Sequence, residues 1–345
     1  MAKVELLVGG KRYSGWKAIT VSRSLESLSG SFSLDVADHW VDQALAWPII
    51  EEDECKVLID GQTVIDGWVG HCGPSFTSSS RSLAFQGNDR AAALVECSAM
   101  LEHWTFKGKT VASITRILAE QYDIKVTVQD GLESLLAPAK VVVSPGDTSF
   151  SVIDKVAKAS GVMVISDGKG GITITRAPSG RSSQQLVEGV NLEDGSVDYD
   201  ATQRFSRYFV ASQIPGDDNS TGNSVRIRAY ASDKGVRRAN RFTIIRPAQA
   251  LTSVQSRIHA DWTARIRAAN SASASVTVKG WEQSNGALWP IGVLIYVNSP
   301  TLRIDGDMRI SQADHVKGPE GERTTLRLVR PDAFTPDPSA KVKEI

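Results

Sequence analysis

Apolar and polar residues alternate in short runs through the first hundred residues of the chain. The alternating apolar positions include Val4, Leu6 and Val8, then Ile19 and Val21, then Phe32, Leu34 and Val36. A period of two, broken by clusters of glycine and serine, predicts half-buried antiparallel strands. Residues 56–67 predict a hairpin with its turn near Asp60-Gly61, because Asp-Gly favours the tight turns that join such strands.

Between about residues 104 and 178 the apolar spacing becomes helical. Two helices are predicted, each starting at a threonine that can cap it, Thr110 and Thr148. Their apolar faces carry Val111, Ile114, Leu118 and Tyr122 in the first, and Val152, Ile153, Val156 and Ala157 in the second. With an offset of 38 residues, a glycine turn, the cap, the helix and a following strand align. This region is predicted to contain two βα half-repeats.

A second internal repeat joins the two ends of the chain. The order Val57-Leu-Ile, Ile65-Asp-Gly, Arg81-Ser-Leu returns as Val293-Leu-Ile, Ile304-Asp-Gly, Arg323-Thr-Thr-Leu. Strand order and turn spacing agree to within a few residues, which predicts two related β-barrel domains.

The part of the chain between the repeats is more mixed. Strands are predicted near 205–213 and 224–230, separated by a loop at 215–223 that is rich in turn formers. A long helix is predicted at about 249–269, with an apolar stripe of Leu251, Val254, Ile258, Trp262 and Ile266.

The predicted fold class is therefore mainly β with α+β insertions: two related β-barrel domains plus a LysM-like α/β domain. The LysM likeness comes from Pro145-Gly-Asp-Thr148, where a strand runs into a capped helix as in that wall-binding module. Five domains are predicted: a first β-barrel at 1–103, the α/β insertion at 104–180, a mixed segment at 181–269, a second β-barrel at 270–334 and a flexible tail at 335–345. The second barrel is also predicted to take in strands from about 187–213, which lie in the mixed segment.

Charge and cysteine content narrow the class of protein. Lysine plus arginine equals aspartate plus glutamate at 39 each, so the chain lacks the basic excess of a general nucleic-acid binder. Cys55, Cys72 and Cys97 form no C-x-x-C pair, so neither a disulfide framework nor a zinc knuckle is predicted, and synthesis in a reducing cytoplasm is expected. We expect no signal peptide and no membrane span, because the apolar runs are too short.

No motif selects a catalytic, cofactor-binding or metal site. Gly108-Lys-Thr110 lacks the earlier glycine of a phosphate loop and is better explained as a capped helix start. His71 and Cys72 are adjacent on a predicted strand and so face opposite sides. Acidic pairs are interpreted as solvated loop residues, namely Asp217-Asp218, Glu51-Glu52 and Glu193-Asp194. We therefore predict no enzyme activity and no cofactor.

Two surface patterns leave alternatives open. Residues 225–228 and 234–241 are basic, whereas 188–200 are acidic. The favoured interpretation of these charges is an ordinary solvated surface. A more specific hypothesis is that the basic and acidic faces pair across subunits. Binding of nucleic acid to the basic residues is the least favoured interpretation. Trp281 and Trp289 flank an Asn-Gly turn; closure of a barrel end is favoured over a sugar-stacking platform.

The chain resembles the baseplate hub proteins of phage Mu and its prophage relatives, a tail protein family related to late control protein D. The resemblance rests on residues 11–36, on Gly87-Asn-Asp-Arg-Ala-Ala-Ala-Leu94, and on the run from Gly280 to Trp289, in the family's order. It implies a structural homotrimer in a contractile tail, linking tail tube to central spike. It also implies contacts with other baseplate proteins, location in the virion after assembly in the host cytoplasm, and no nucleic-acid or membrane partner.

Two other functions compete with this one. A peptidoglycan-binding or cell-wall-lytic tail component is supported by the LysM-like turn, although Ser149 stands where wall-binding versions usually carry an apolar residue. An α/β enzyme that uses the central region has no supporting motif.

Overall fold

The computed structural model describes residues 3–37, 49–78, 81–176, 180–213, 226–247 and 251–339. Residues 4–89 supply a first β module of seven strands: β1 (Val4–Val8), β2 (Lys11–Tyr13), β3 (Ala18–Ser24), β4 (Ser31–Ala37), β5 (Glu54–Ile59), β6 (Gln62–Phe76) and β7 (Arg81–Asp89). They are hydrogen-bonded in the order β3-β4-β7-β6-β5-β1-β2, with every neighbouring pair antiparallel. The alternating residues predicted to be buried form its core, and the β5–β6 turn lies at Asp60-Gly61 as predicted.

The insert, residues 92–176, follows the first module. It contains α1 (Ala92–Glu96), β8 (Thr105–Lys107), α2 (Val111–Glu120), β9 (Val126–Val128), β10 (Lys140–Val142), α3 (Ser149–Ala159), β11 (Met163–Ser166) and β12 (Ile172–Thr175). Its strands form a β8–β10 pair and a separate β11-β12-β9 sheet, and both packed helices contribute to one apolar core. Thr110 caps α2 and Thr148 caps α3, each accepting the N–H of the residue three positions on. The predicted pair of capped helices is confirmed; the likeness to LysM stays a prediction.

The second β module repeats the central part of the first. Its strands are β13 (Arg181–Val187), β14 (Leu192–Tyr199), β18 (Ala272–Lys279), β19 (Leu294–Ser299), β20 (Ile304–Gly318) and β21 (Gly321–Val329), followed by a 3-10 helix, Pro331–Phe334. The strands β5, β6 and β7 have 6, 15 and 9 residues, and so do β19, β20 and β21. Each 15-residue strand also carries a bulge where it pairs with the 9-residue strand. The predicted duplication is therefore present in the strand topology.

The prediction of two β-barrels needs a correction, because neither module closes on itself within the described residues. Strand β20 pairs with β3 as well as with β19 and β21, so the two modules share one 13-stranded sheet. The order β14-β18-β21-β20-β3-β4-β7-β6-β5-β1-β2 leaves β14 at one open edge and β2 at the other. The pairing of β3 with β20 takes the edge of β3 that closure of the first module would need, and in the second module β13 and β14 remain edge strands.

A small α/β layer is inserted in the sequence between β14 and β18 of the second module. It consists of β15 (Arg207–Gln213), β16 (Arg226–Ser232), β17 (Phe242–Ile245) and α4 (Ser253–Ala269), with sheet order β16-β15-β17. The sequence assigned strands from 187–213 to the second barrel; β14 does pair there, but β15 belongs to this separate sheet. The predicted loop at 215–223 and the pair Asp217-Asp218 lie outside the described residues.

Helix α4 uses only part of its predicted apolar stripe: Leu251, just before the helix, is buried, and Trp262 and Ile266 are half-buried. Its buried residues are Ser256, Ala260, Thr263, Ala264 and Ala269, whereas Val254 and Ile258 are exposed. Small side chains allow the helix to approach Tyr208 and Val210 of β15 closely, and this packing decides its orientation.

The start of the predicted flexible tail is bound to α4. The Trp262 indole donates to the Thr335 carbonyl over 2.8 Å, and His259 Nδ1 lies 2.7 Å from the Asp337 carboxylate. Residues 340–345 are outside the described part of the chain.

Candidate interaction surfaces

The candidate catalytic residues are not brought together. Within the described residues no group of three or more His, Cys, Asp or Glu side chains could hold a metal ion. Glu51-Glu52 and Glu193-Asp194 are exposed. His71 is exposed on β6, while the neighbouring Cys72 thiol faces inward and donates to the Ile49 carbonyl. This arrangement provides no oriented nucleophile and base.

The turn Gly146-Asp147-Thr148 is used for packing inside the chain. Asp147 accepts the Ser144 N–H through its carboxylate and the Ala99 N–H through its carbonyl. The Ser149 N–H donates to the Cys97 carbonyl, and the Ser149 side chain is fully buried. Asp147 and Ser149 are therefore bound to segment 97–99, whereas Pro145 and Gly146 of the same turn are exposed.

The two tryptophans that flank the Asn-Gly turn are buried, which argues against a sugar-stacking platform; the predicted closure of a barrel end is not found, because neither module is a closed barrel within the described residues. Trp281 and Trp289 are 2% and 3% exposed. Trp281 packs into the core of the first module although it follows β18 of the second, and its indole donates to the Val316 carbonyl over 2.9 Å. Trp289 packs in the core of the second module. The turn thus connects the cores of the two modules.

A polar joint fixes the insert to the first module. The buried Asp89 carboxylate accepts the Gly30 N–H, the Ala91 N–H and the Ser166 hydroxyl, at 2.9, 3.0 and 2.8 Å. Beside it the Arg23 guanidinium donates to the Asp167 carbonyl over 3.0 Å. Burial raises the pKa of the Asp89 carboxyl, and the hydrogen bonds oppose that shift. The N-cap position of α1 is Ala91, and Asp89, two residues earlier, holds three parts of the chain together.

The outer face of the β16-β15-β17 sheet is apolar and exposed. The inner face, with Tyr208, Val210 and Ala231, packs on α4. On the outer face, Phe209, Tyr230, Phe242 and Ile244 are 37%, 56%, 61% and 65% exposed. Phe209 lies at the centre, with ring centroids 6.4 Å from both Tyr230 and Phe242. We call these four residues, with the exposed arginines Arg207, Arg228 and Arg246 beside them, the aromatic–arginine face.

The sequence indicates the basic residues here, but the aromatic face was not predicted from it. A signal was available: Tyr208-Phe209-Val210 and Phe242-Thr-Ile-Ile245 are apolar at consecutive positions, which indicates strands with both faces covered. Within the described residues only the inner face is covered, by α4.

The outer face of the second module is hydroxyl-rich and acidic. Its outward residues line a groove of about 410 Å³ that crosses β14, β18, β21 and β20. Asp198 and Asp314 bring carboxylates to the groove, Ser196, Ser273 and Ser275 line it, and Asp194 is exposed nearby on β14. Arg327 also lines the groove, but it pairs with Glu26 at 3.6 Å. We call this surface the acidic groove; it includes the open edge of the 13-stranded sheet.

Three family models match successive parts of the chain. Residues 3–89 match the N-terminal domain of the Mu phage baseplate assembly protein GpP-like family, residues 91–176 the second domain of the baseplate hub protein gp44-like family, and residues 252–337 the fourth domain of the Mu phage baseplate assembly protein GpP family. Together these matches span most of the chain. They follow the order of the first module, the insert and the second module. The chain belongs to the family of Mu-like phage baseplate hub proteins.

Individual relatives agree with this assignment. The chain is 27% identical to the baseplate hub protein gp44 of Escherichia phage Mu over 308 residues, which cover 87% of this chain and 80% of the relative. The crystal structure of the 43 kDa tail protein of prophage MuSo2 from Shewanella oneidensis matches with a TM-score of 0.85 and 29% identity, covering 96% of this chain and 99% of that one. The tail protein from Neisseria meningitidis MC58 shares the fold, with a TM-score of 0.79, 22% identity and coverage of 97% and 98%. None of the described helices has the length and apolarity that crossing a membrane requires.

Proposed function

We propose that this protein is the structural hub of a contractile phage or prophage baseplate, a homotrimer that links the tail tube to the central spike. The observation that carries the proposal is the duplicated meander, with strands of 6, 15 and 9 residues in both modules. The similarity to the gp44 hub protein of phage Mu supports it.

Symmetry explains why a hub needs such a duplication. Three chains with two related modules each present six quasi-equivalent surfaces around one axis. Such a ring can meet a sixfold tail tube on one side and a threefold spike on the other, because cyclic assemblies repeat each surface once per subunit. The pairing of β20 with β3 supports this role, since it holds the two modules of a chain in one sheet.

The proposed role needs no enzyme activity and no cofactor, and the dispersed candidate residues support that. As domain boundaries we propose a first β domain at 1–103, an α/β domain at 104–180, a mixed segment at 181–269 whose strands β13 and β14 pair with the second module, a second β domain at 270–334 and a tail at 335–345. The expected partners are two further copies, the spike, the tube and other baseplate proteins, with neither nucleic acid nor membrane. The expected location is the virion tail, after synthesis and assembly in the host cytoplasm.

Mass measurement tests the assembly. Light scattering on the purified full chain, alone and mixed with the spike protein from the same tail cluster, should give a three-chain mass in at least one condition. Spike immobilised as bait should retain the chain, whereas an unrelated β-structured trimer used as control bait should not. A single-chain mass in both conditions, with no retention by the spike, rules out the trimeric hub.

The alternative function is a peptidoglycan-binding or wall-lytic tail component. Asp147 and Ser149 are hydrogen-bonded to segment 97–99, which leaves fewer groups of this turn free to bind a glycan and argues against this alternative. Sedimentation with insoluble cell wall separates the two functions, because a hub stays in the supernatant. Co-sedimentation that persists in high salt, or release of soluble wall fragments, would favour the alternative.

A further inference from the structure

The aromatic–arginine face has the composition of a protein interface. Its centre is formed by Phe209, Tyr230, Phe242 and Ile244, all exposed on one side of a three-stranded sheet. A sheet in a monomer ordinarily turns polar residues to solvent, and a contiguous apolar patch marks an interaction site. Aromatic residues and arginine are also the types that interfaces favour.

The exposed charges beside this apolar centre are basic; the one acidic residue of the β16–β17 turn, Asp233, is paired with Arg204. Arg207, Arg228 and Arg246 are exposed at its border, and none forms an ion pair within the described residues. The turn between β16 and β17 adds Lys234, Arg237 and Arg238, all exposed. The face therefore fits a partner that offers carboxylates and hydrogen-bond acceptors.

The same chain carries a complementary surface elsewhere. In the acidic groove, Asp198 has no hydrogen-bond or ion-pair partner among the described residues, and Asp194 accepts only the N–H of Gly195. Serine hydroxyls at positions 196, 273 and 275 surround these carboxylates. The groove thus offers both the charge and the acceptors that guanidinium groups bind.

We propose that the aromatic–arginine face of one copy binds the acidic groove of the next copy, so that the trimer closes head to tail. This inference rests on the proposed function, and it assigns the surfaces that build the assembly. Two different surfaces in contact form a heterologous interface, which closes into a ring when the rotation between copies is a third of a turn. Matched charge sets the register of the contact, and the aromatic cluster supplies the buried apolar area.

The net charge of the chain favours a second copy over nucleic acid. A nucleic-acid partner would leave the acidic groove unmatched, whereas a second copy matches both surfaces. With 39 basic and 39 acidic residues, the chain has no overall attraction for a polyanion. Binding of nucleic acid to the face is the competing outcome in the test.

Charge reversal with rescue tests the proposal. The face variant carries Arg207→Glu, Arg228→Glu and Arg246→Glu; the groove variant carries Asp194→Lys and Asp198→Lys. Each should raise the concentration needed for trimer formation by roughly tenfold or more, because like charges then meet. Combining all five changes in one chain should restore the trimer, since every reversed face then meets a reversed groove. All the altered residues are exposed, and circular dichroism checks that each variant is folded.

Control substitutions and three further outcomes separate the proposed interface from the proposed hub function. Lys11→Glu and Asp130→Arg change exposed charges away from both surfaces and should leave the mass unchanged. If the wild type is a trimer and neither the face nor the groove variant weakens it, the proposed interface is wrong while the hub function stands. A wild type that stays single-chain even with the spike contradicts the hub function itself. Anisotropy of a labelled single-stranded oligonucleotide that rises with wild type but not with the face variant, while both remain trimers, assigns the face to nucleic acid instead.

Discussion

The Ser166 hydroxyl donates a 2.8 Å hydrogen bond to Asp89, and these two residues belong to different parts of the fold. Asp89 ends β7 of the first module, whereas Ser166 ends β11 of the insert. The same carboxylate also accepts the Gly30 and Ala91 N–H groups. One buried side chain therefore fixes the position of the insert relative to the module from which it emerges.

Replacing Asp89 should destabilise the chain far more than replacing its partner. Asp89→Ala leaves three donors without an acceptor in a buried site, so we expect a loss of about 3–5 kcal/mol in the free energy of unfolding. Ser166→Ala removes one of the three bonds and should cost about 1 kcal/mol. Urea denaturation followed by circular dichroism measures both. Similar losses for the two variants would contradict the central role assigned to Asp89.

Helix caps and strand repeats could be predicted because their signals are local. Thr110 and Thr148 each stand before an amphipathic run, and a hydroxyl at that position accepts a backbone N–H whatever the rest of the chain does. The Ile-Asp-Gly motif of the repeat likewise lies in the first part of β6 and of β20.

The predictions from sequence that were wrong concern contacts between residues far apart in the chain. The stripe of Val254 and Ile258 predicts burial, yet α4 packs through Ala260 and Ala264 because close approach to β15 requires small side chains. Pairing of β20 with β3 opens both modules into one sheet, and hydrophobic periodicity does not specify which edges pair. The aromatic–arginine face was missed for the same reason, since only the position of α4 shows which side of β15 is left exposed.

Buried His315 should make stability depend on pH. Burial, together with the nearby Arg23 charge, lowers the pKa of His315 to about 4 from an ordinary 6.5. Between these two values the unfolded chain binds a proton that the folded chain does not, so stability falls as pH falls from 6.5 to 4. The full difference corresponds to roughly 3 kcal/mol. Urea midpoints measured at several pH values across this range report the slope.

His315→Gln isolates this contribution from the carboxylates that titrate in the same range. The glutamine side chain can keep a hydrogen bond to Thr324 but does not take up the proton, so the variant should show the shallower slope. His71→Gln, at an exposed position, is the matched control and should keep the wild-type slope. Parallel curves for His315→Gln and the wild type would show that His315 does not contribute.

Trp281 should contribute to stability through both modules. Its side chain fills part of the first module's core and donates to Val316 of β20. Trp281→Ala should cost about 3–5 kcal/mol, the usual range for removing a buried large aromatic residue. Trp104→Ala, at a position 37% exposed, should cost no more than about 1 kcal/mol. Thermal unfolding of the two variants compares them; equal shifts in Tm would contradict the placement of Trp281 between the cores.

Gly67 and Gly306 occupy the same place in the repeat for different physical reasons. A Cβ atom at Gly67 would lie 2.6 Å from Asp89 Cα and closer still to the Asn88 carbonyl oxygen, so β6 and β7 pack backbone to backbone there. At Gly306 there is open space, but φ is +154°, a conformation that other residues rarely adopt. Gly67→Ala should therefore push β6 away from β7 and destabilise the first module by at least about 3 kcal/mol.

Gly70→Ala is the matched control on the same strand. A Cβ atom there would meet only the Gln86 carbonyl oxygen, at 4.0 Å, and the backbone is not left-handed. Replacing Gly70 should change the unfolding free energy by less than about 1 kcal/mol, because an exposed substitution without a clash has little effect. Denaturant midpoints of both variants give the comparison. A well-folded Gly67→Ala with a wild-type midpoint would mean that β6 and β7 can separate without loss, and that the glycine is not required for their close approach.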